Sequence, residues 1–233
     1  MRYILPIFML IFTCIPFSTQ AQIIASDMEV RFPAQERAVK KISISNQSTD
    51  STFVVNAEVV ELTNPGEATP VYLPSKKVLA IPQRFTLTSE GSRNVRLISN
   101  TSASSKERIF KVRFIPEAPK EDISGNKHGV TPKLRIITAV GVLTSIAPQT
   151  PQENLTWERD GTGIKFTNNG NFNVVIARKE KCVKGICYQI PGKRLYSDAS
   201  WHLKLPEALR FSPIKIEVFV SGVPKEVIIP YEY

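Results

Sequence analysis

Two all-β domains in tandem are predicted by three features of the 233-residue sequence. Short segments rich in Val, Ile, Thr and Phe alternate apolar with polar residues, the period of a strand with one face on a core. No long stretch repeats its apolar residues at the helical period, and 17 prolines are scattered along the chain. Asn, Gly, Pro and Ser punctuate the strands, and a Pro-containing break at residues 147–151 divides them into two groups.

The first residues are expected to be removed. Arg2 supplies a positive start, residues 3–17 are almost uninterrupted apolar, and Ser18-Thr19-Gln20-Ala21 offers small residues at the usual cleavage positions. Residues 1–21 therefore read as a secretory signal peptide. The apolar run falls short of the ~20 residues needed to span a bilayer, so stable membrane insertion is not expected. Cys14 leaves with this segment. Cys182 and Cys187 remain, and in an exported chain that even count at short spacing reads as a disulfide rather than a metal site. So short a loop removes little chain entropy, so the bond is expected to shape a hairpin rather than hold the domain together.

In the first group, strands are predicted at 28–32, 39–45, 52–62, 77–81, 84–87, 94–98, 108–115 and 133–146. That is the strand density of an immunoglobulin-like sandwich. Residues 22–146 form this domain and 147–151 (Ala-Pro-Gln-Thr-Pro) a short, stiff linker. A second, smaller β domain is expected at 152–233, with strands at 154–158, 163–168, 173–178, 187–190, 195–196, 214–220 and 225–231. Turns such as Arg159-Asp160-Gly161 and Asn168-Asn169-Gly170-Asn171 separate them.

Composition and motifs argue against several function classes. The formal charge of +9 is spread over pairs such as Lys40-Lys41, Lys76-Lys77, Arg178-Lys179 and Lys193-Arg194, not gathered into the aromatic-interleaved stripe of a nucleic-acid binder. The two histidines, His128 and His202, lie in different domains without ligand-like spacing, and no nucleophile elbow, zinc motif or phosphate loop is present. An enzyme is not expected, nor a cofactor. Trp157, Trp201 and Phe211 could form a sugar platform, but a Trp in a sandwich strand is more often core.

Residues 133–146 (KLRIITAVGVLTSI) carry the most information. Both alternating sets are apolar: Leu134, Ile136, Thr138, Val140 and Val142 on one face, and Arg135, Ile137, Ala139, Gly141 and Leu143 on the other. A half-solvated strand should alternate apolar with polar. One reading is a central strand covered on both sides. The other is an edge strand whose apolar row is reserved for a second chain, added by β-augmentation.

The order of motifs here resembles the periplasmic pilus chaperones of the chaperone–usher pathway. A strand, a Pro-containing loop, a long apolar strand and an Ala147-Pro148 linker look like the end of that family's first domain. Phe32-Pro33 followed by Ile44-Ser45-Asn46, residues 77–82 followed by Val95-Arg96-Leu97, and Val112-Arg113-Phe114-Ile115-Pro116 resemble its earlier strands. Thr167-Asn168-Asn169-Gly170-Asn171, then Cys182 and Cys187, then Ile190-Pro191-Gly192-Lys193 resemble its alternate branch, which serves common-pilus-like fibres.

The resemblance implies two immunoglobulin-like sandwiches set as an L or boomerang. It implies a periplasmic location, and as partners pilus subunits and an outer-membrane usher. Subunits that lack a strand would be completed by the chaperone's own first-domain G strand, with Leu134, Ile136, Thr138 and Val140 as the donated row. Ile137, Ala139 and Leu143 are the alternative row. A subunit's terminal carboxylate would be held in the cleft between the domains.

The sequence departs from the family at that anchor. Glu29 stands where relatives carry an Arg, Gly141, Val142 and Leu143 where they carry a Lys, and Ala147 where they carry an interdomain Arg. Arg31, Lys111 and Arg113 are the replacement candidates, Arg suiting a carboxylate bidentately. A self-capping homodimer would protect an exposed apolar edge. The competing identities are a pilus subunit or tip adhesin, or a secreted β-sandwich enzyme or carbohydrate-binding module. A fibre subunit should carry an alternating apolar extension after the signal peptide, and residues 22–27 are too short and polar for one.

Overall fold

The computed structural model describes residues 22–117 and 138–231, apart from residues 36, 68, 103 and 184. The first domain runs β1 (Ile23–Ala25), β2 (Glu29–Phe32), β3 (Val39–Asn46), β4 (Phe53–Leu62), β5 (Tyr72–Pro74), β6 (Val78–Ile81), β7 (Arg84–Leu87), β8 (Ser92–Ser99), β9 (Arg108–Pro116) and β10 (Val140–Ile146). One sheet has the order β1-β3-β8-β6; the other has β2-β10-β9-β4-β5, with β7 also on β4. The opening of the chain thus changes sheets. β1 pairs antiparallel with β3, and β2 then pairs parallel with β10.

Period-two alternation sends one row of each strand inward. Ile42 and Ile44 of β3, Val95 and Leu97 of β8, and Phe110, Val112 and Phe114 of β9 meet Val30, Phe32, Val142 and Ile146 in one buried cluster. Thr144 of β10 belongs to the same inward row. Its Oγ1 is buried and makes no hydrogen bond among the described residues. A buried hydroxyl without a partner is destabilising. Thr144→Val is therefore expected to raise first-domain stability by about 1 kcal/mol, measured as a higher urea midpoint at unchanged slope; an equal or lower midpoint would show that the hydroxyl is satisfied.

The second domain runs β11 (Leu155–Asp160), β12 (Gly163–Asn168), β13 (Val174–Ile176), β14 (Lys179–Val183), β15 (Ile186–Ile190), β16 (Lys193–Leu195), β17 (Ser200–Lys204), a single helical turn α1 (Glu207–Arg210), β18 (Ile214–Val220) and β19 (Val223–Ile229). Its sheets are β11-β12-β17 and β16-β13-β18-β19, with β14-β15 as a separate hairpin. The I-K-I-E-V-F-V run of β18 buries Ile214, Ile216 and Val218 against Ile164, Phe166, Leu203 and Ile229. Cys182 and Cys187 are directly opposed in the hairpin and joined by a disulfide. Among the described residues their group with Glu180 is the one cluster able to ligate a metal, and its sulfurs are bonded to each other.

Two features of β10 differ from expectation. The strand was expected from residue 133, but among the described residues it begins at Val140, and Thr138 and Ala139 are outside it. Leu143 donates its N–H to the Met28 carbonyl on the β2 side, so the even-numbered residues turn their backbone groups toward β9. In the Val140–Phe114 register the next such pair is Thr138 with Pro116. Proline has no N–H, so the ladder ends there. Secondly, β10 is neither wholly central nor wholly an edge. Leu143–Ile146 lie between β2 and β9, whereas, among the described residues, 140–142 pair with β9 alone.

Candidate functional site

The outward face of the β2-β10-β9-β4-β5 sheet turns toward the second domain, and register places the site on it. Glu29, Leu143, Lys111 and Val60 form one cross-strand row; Arg31, Ser145, Ile109 and Leu62 the next; Gly141, Arg113 and Glu58 a third. The three candidate anchors are therefore brought to one face, but they do different things there.

Arg31 donates through Nε to Glu29 Oε1 at 2.9 Å. Arg113 leans away from β10 and stacks over the Tyr72 ring at 5.4 Å, a cation–π contact. Lys111 leans the other way, across β10. A Cβ on Gly141 would stand 2.4 Å from Lys111 Cε and 3.4 Å from Nζ. The absent side chain at 141 is what lets the lysine stem lie there. The neighbouring strand β9 thus lays an ammonium over Gly141 of β10. Lys111 is in no ion pair or hydrogen bond found among the described residues.

On the donor row, Val140 is half-buried against the first-domain core and Thr138 is exposed. Leu134, Ile136 and Ile137 lie outside the described residues. Of the alternative row, Ala139 is exposed and Leu143 half-buried on the cleft face. Gly141, with the same parity as Leu143, directs its N–H and C=O to the side away from β9, where β2 no longer pairs.

The second domain closes the cleft with residues that local sequence does not mark. Arg194 grips Glu29 with both ends of its guanidinium, Nη1 to Oε1 at 3.0 Å and Nη2 to Oε2 at 2.7 Å. Its Nη1 also donates to Asn173 Oδ1 at 2.6 Å. Asn173 in turn gives its backbone N–H and its Nδ2 to Glu107, at 2.8 Å each for the Oε2 and Oε1 contacts. Lys106 pairs with Asp198 nearby. Asn171 of the Asn-rich turn donates Nδ2 to the Ser105 and Thr150 carbonyls. These contacts tie the second domain to the first. Burial raises the Glu29 pKa, but hydrogen bonds from Arg194 and Arg31 and their charges outweigh it, and the carboxyl ends below its ordinary value. Tyr196 reaches into the cleft too, where burial pushes its phenol up.

Other candidates resolve as structure. Trp201 stacks on Phe166 at 5.8 Å, and Phe211 meets Tyr231 edge-to-face instead of joining a platform. His202 pairs with Asp160 at 3.0 Å. The Asp160 carboxyl, bonded chiefly by the Thr162 hydroxyl and N–H and also by Gly163, is held at about 2. His128 lies outside the described residues, and no helix described is long and apolar enough to cross a membrane.

No protein-family model matches the sequence, and no curated protein matches it. Solved structures do match. The class 5 fimbriae chaperone CfaA superposes with a TM-score of 0.60 at 17% identity, over 88% of this chain and 97% of that one. The E. coli chaperone DraB gives 0.63 at 14% identity, over 90% and 96%. The Salmonella enterica SafB chaperone, solved with the SafA pilin, gives 0.62 at 17% identity, over 91% and 98%. Over nearly its whole length, the chain has the two-domain all-β fold of the periplasmic fimbrial chaperones.

Proposed function

We propose that this protein is a non-enzymatic periplasmic chaperone that captures incomplete pilus subunits by donating its first-domain G strand and passes them to an outer-membrane usher. The observation that carries the reading is the conjunction at β10. Among the described residues its edge at 140–142 is unpaired on the side away from β9, and Lys111 stands over Gly141 beside that edge. Strand addition supplies main-chain hydrogen bonds along such an edge, and alternate side chains supply specificity. An ammonium a few ångströms away, with no ion pair among the described residues, suits the terminal carboxylate of the added chain. Lys111 is the anchor in this reading, with Arg31 and Arg113 engaged elsewhere in the free protein.

A pilus subunit or tip adhesin is the weaker reading. Ile23–Ala25, where a donor extension would begin, pair as β1 within their own first domain. The fimbrial chaperones solved with a pilin or a tip adhesin support a subunit as the partner.

The test is a mild pull-down of the mature protein from its native periplasm, with partners identified by mass spectrometry. A smaller exported β protein should be recovered one-to-one. Lys111→Ala is expected to weaken its capture by about 10- to 100-fold, the range for losing one charge-assisted hydrogen bond. Recovery only in surface fibres would make the chain a subunit. A homodimer that dissociates as subunit is added would identify self-capping of the same edge.

A further inference from the structure

We propose that the outer face of the β1-β3-β8-β6 sheet adsorbs the chain to an anionic phospholipid surface, with a headgroup phosphate held in a recess between Arg93 and Arg96. The inference rests on the chaperone reading for its setting alone, since an exported chain meets membrane leaflets. The chemistry is the sheet's own. Its strands read I-I-A, V-K-K-I-S-I-S-N, V-L-A-I and S-R-N-V-R-L-I-S, with four cations and no carboxylate. Among the described residues, none of Lys40, Lys41, Arg93 and Arg96 has an ion pair or hydrogen bond.

Register sorts these cations. Ile42 and Ile44 turn into the core, so Lys41 stands on the outer face, where Arg96 is its direct cross-strand partner and Ile81 lies beyond. Val39, Ile98 and Leu79 form the adjoining row. Two like charges directly opposite one another destabilise a sheet. No carboxylate on this sheet offsets them, so the pair is a cost that the fold does not recover. Asp27 and Glu29 share a cavity with Lys40 and Lys41, but Asp27 accepts from Ser26 and Glu29 is held by Arg194 and Arg31. Val39 and Ile81 are exposed. Cations interleaved with exposed apolar side chains on one face suit an anionic membrane interface.

β6 stops at Ile81, opposite Arg96, and among the described residues no strand covers residues 92–95 of β8 on that side. A recess of about 520 Å³ lies there, lined by Ile81, Pro82, Ser92, Arg93, Asn94 and Arg96. Two guanidiniums, a hydroxyl and an amide supply donors for the oxygens of a phosphate, which a guanidinium meets bidentately. Ile81 and Pro82 supply an apolar wall for the ester region behind it. The charge is spread across a sheet face rather than along a groove, which fits a lipid surface and not an extended acidic peptide. Adsorption is peripheral, with single apolar side chains and no inserted segment.

The test is co-sedimentation of the full mature protein with phosphatidylcholine vesicles carrying phosphatidylglycerol, against vesicles of phosphatidylcholine alone. Binding should need the anionic lipid and fall steeply with salt. Each basic residue beside an anionic surface is worth about fivefold in partitioning. Arg93→Gln/Arg96→Gln should therefore weaken binding about 25-fold, and Lys41→Gln about fivefold. Both variants should unfold at an unchanged or higher midpoint, because the Lys41–Arg96 repulsion is gone. Lys165→Gln/Lys204→Gln removes the same charge from the second domain and should change binding less than about twofold, being away from the surface. Equal binding to both vesicles, or equal losses in the two double variants, would overturn the site. Release by inorganic phosphate, but not by chloride at the same ionic strength, would assign the recess to a free anion instead. An acidic protein held through Arg96 without vesicle binding would give the face to a protein partner. The vesicles contain no subunit, so failed adsorption leaves capture by β10 standing, and failed capture leaves adsorption standing.

Discussion

Ile136→Asp is expected to abolish subunit capture while leaving the thermal unfolding of both domains where it is in the wild type. The position lies outside the described residues, and the expectation comes from parity with Val140. Each large apolar side chain moved from water into a partner's groove contributes about 1.5–3 kcal/mol. A row of Leu134, Ile136 and Val140, with Thr138 between, is then enough to hold a subunit firmly. An aspartate in the middle of that row would have to enter an apolar groove unpaired. The loss is larger than the simple absence of the isoleucine, because the carboxylate must be desolvated or neutralised.

The even row is also the one that Val140, Val142 and Ile146 turn into the first-domain core. A donated even row would therefore prolong this core into the partner. Co-purification with the subunit reads the capture, and calorimetry reads the fold. Normal capture by Ile136→Asp together with lost capture by Ile137→Asp would assign the donor row to Ile137, Ala139 and Leu143 instead.

Phe114→Ala should lower first-domain stability by about 3–5 kcal/mol, the range for a large aromatic truncated in a packed core. Phe114 is fully buried, lies opposite Val140 on β10 and Ala57 on β4, and meets Phe85 edge-to-face at 6.4 Å. Truncation removes the transfer free energy of the ring, that aromatic contact and the filling of a central layer. The second domain has its own buried cluster, so its transition should stay in place. Denaturant unfolding followed at a first-domain probe measures the shift. A loss under about 1 kcal/mol would mean the site collapses around the truncation and that Val140 does not rest on this ring. Subunit capture should fall as well, since β10 is held to the sheet beside Phe114 through its Val140 pairing.

Most of the strands were legible because alternation is a local property. The I-K-I-E-V-F-V of β18 and the V-K-K-I-S-I-S-N of β3 announce their buried rows residue by residue. The strands not anticipated are short or polar: β1, β5, the cystine-bearing β14, and β17. β17 did carry a signal in the alternation of Trp201 and Leu203 between Ser200, His202 and Lys204, which reads as a strand. The late start of β10 is different in kind. Its residues are β-prone throughout, and it ends its ladder where the partner strand presents Pro116, a fact of register rather than of its own sequence.

The amino-acid sequence by itself determined the all-β class, the apolar character of residues 133–146 and the disulfide hairpin. These follow from side-chain period, turn chemistry and residue type, which act over a few residues. Only the tertiary structure gave Arg31, Lys111 and Arg113 different surroundings. It turned one to Glu29, stacked one on Tyr72 and laid the third across Gly141. It also brought Arg194 and Asn173 to Glu29 and Glu107, partners 165 and 66 residues apart in the chain. Charge pairing depends on distance in space and on which neighbours compete for the same carboxylate, and neither is written in local sequence.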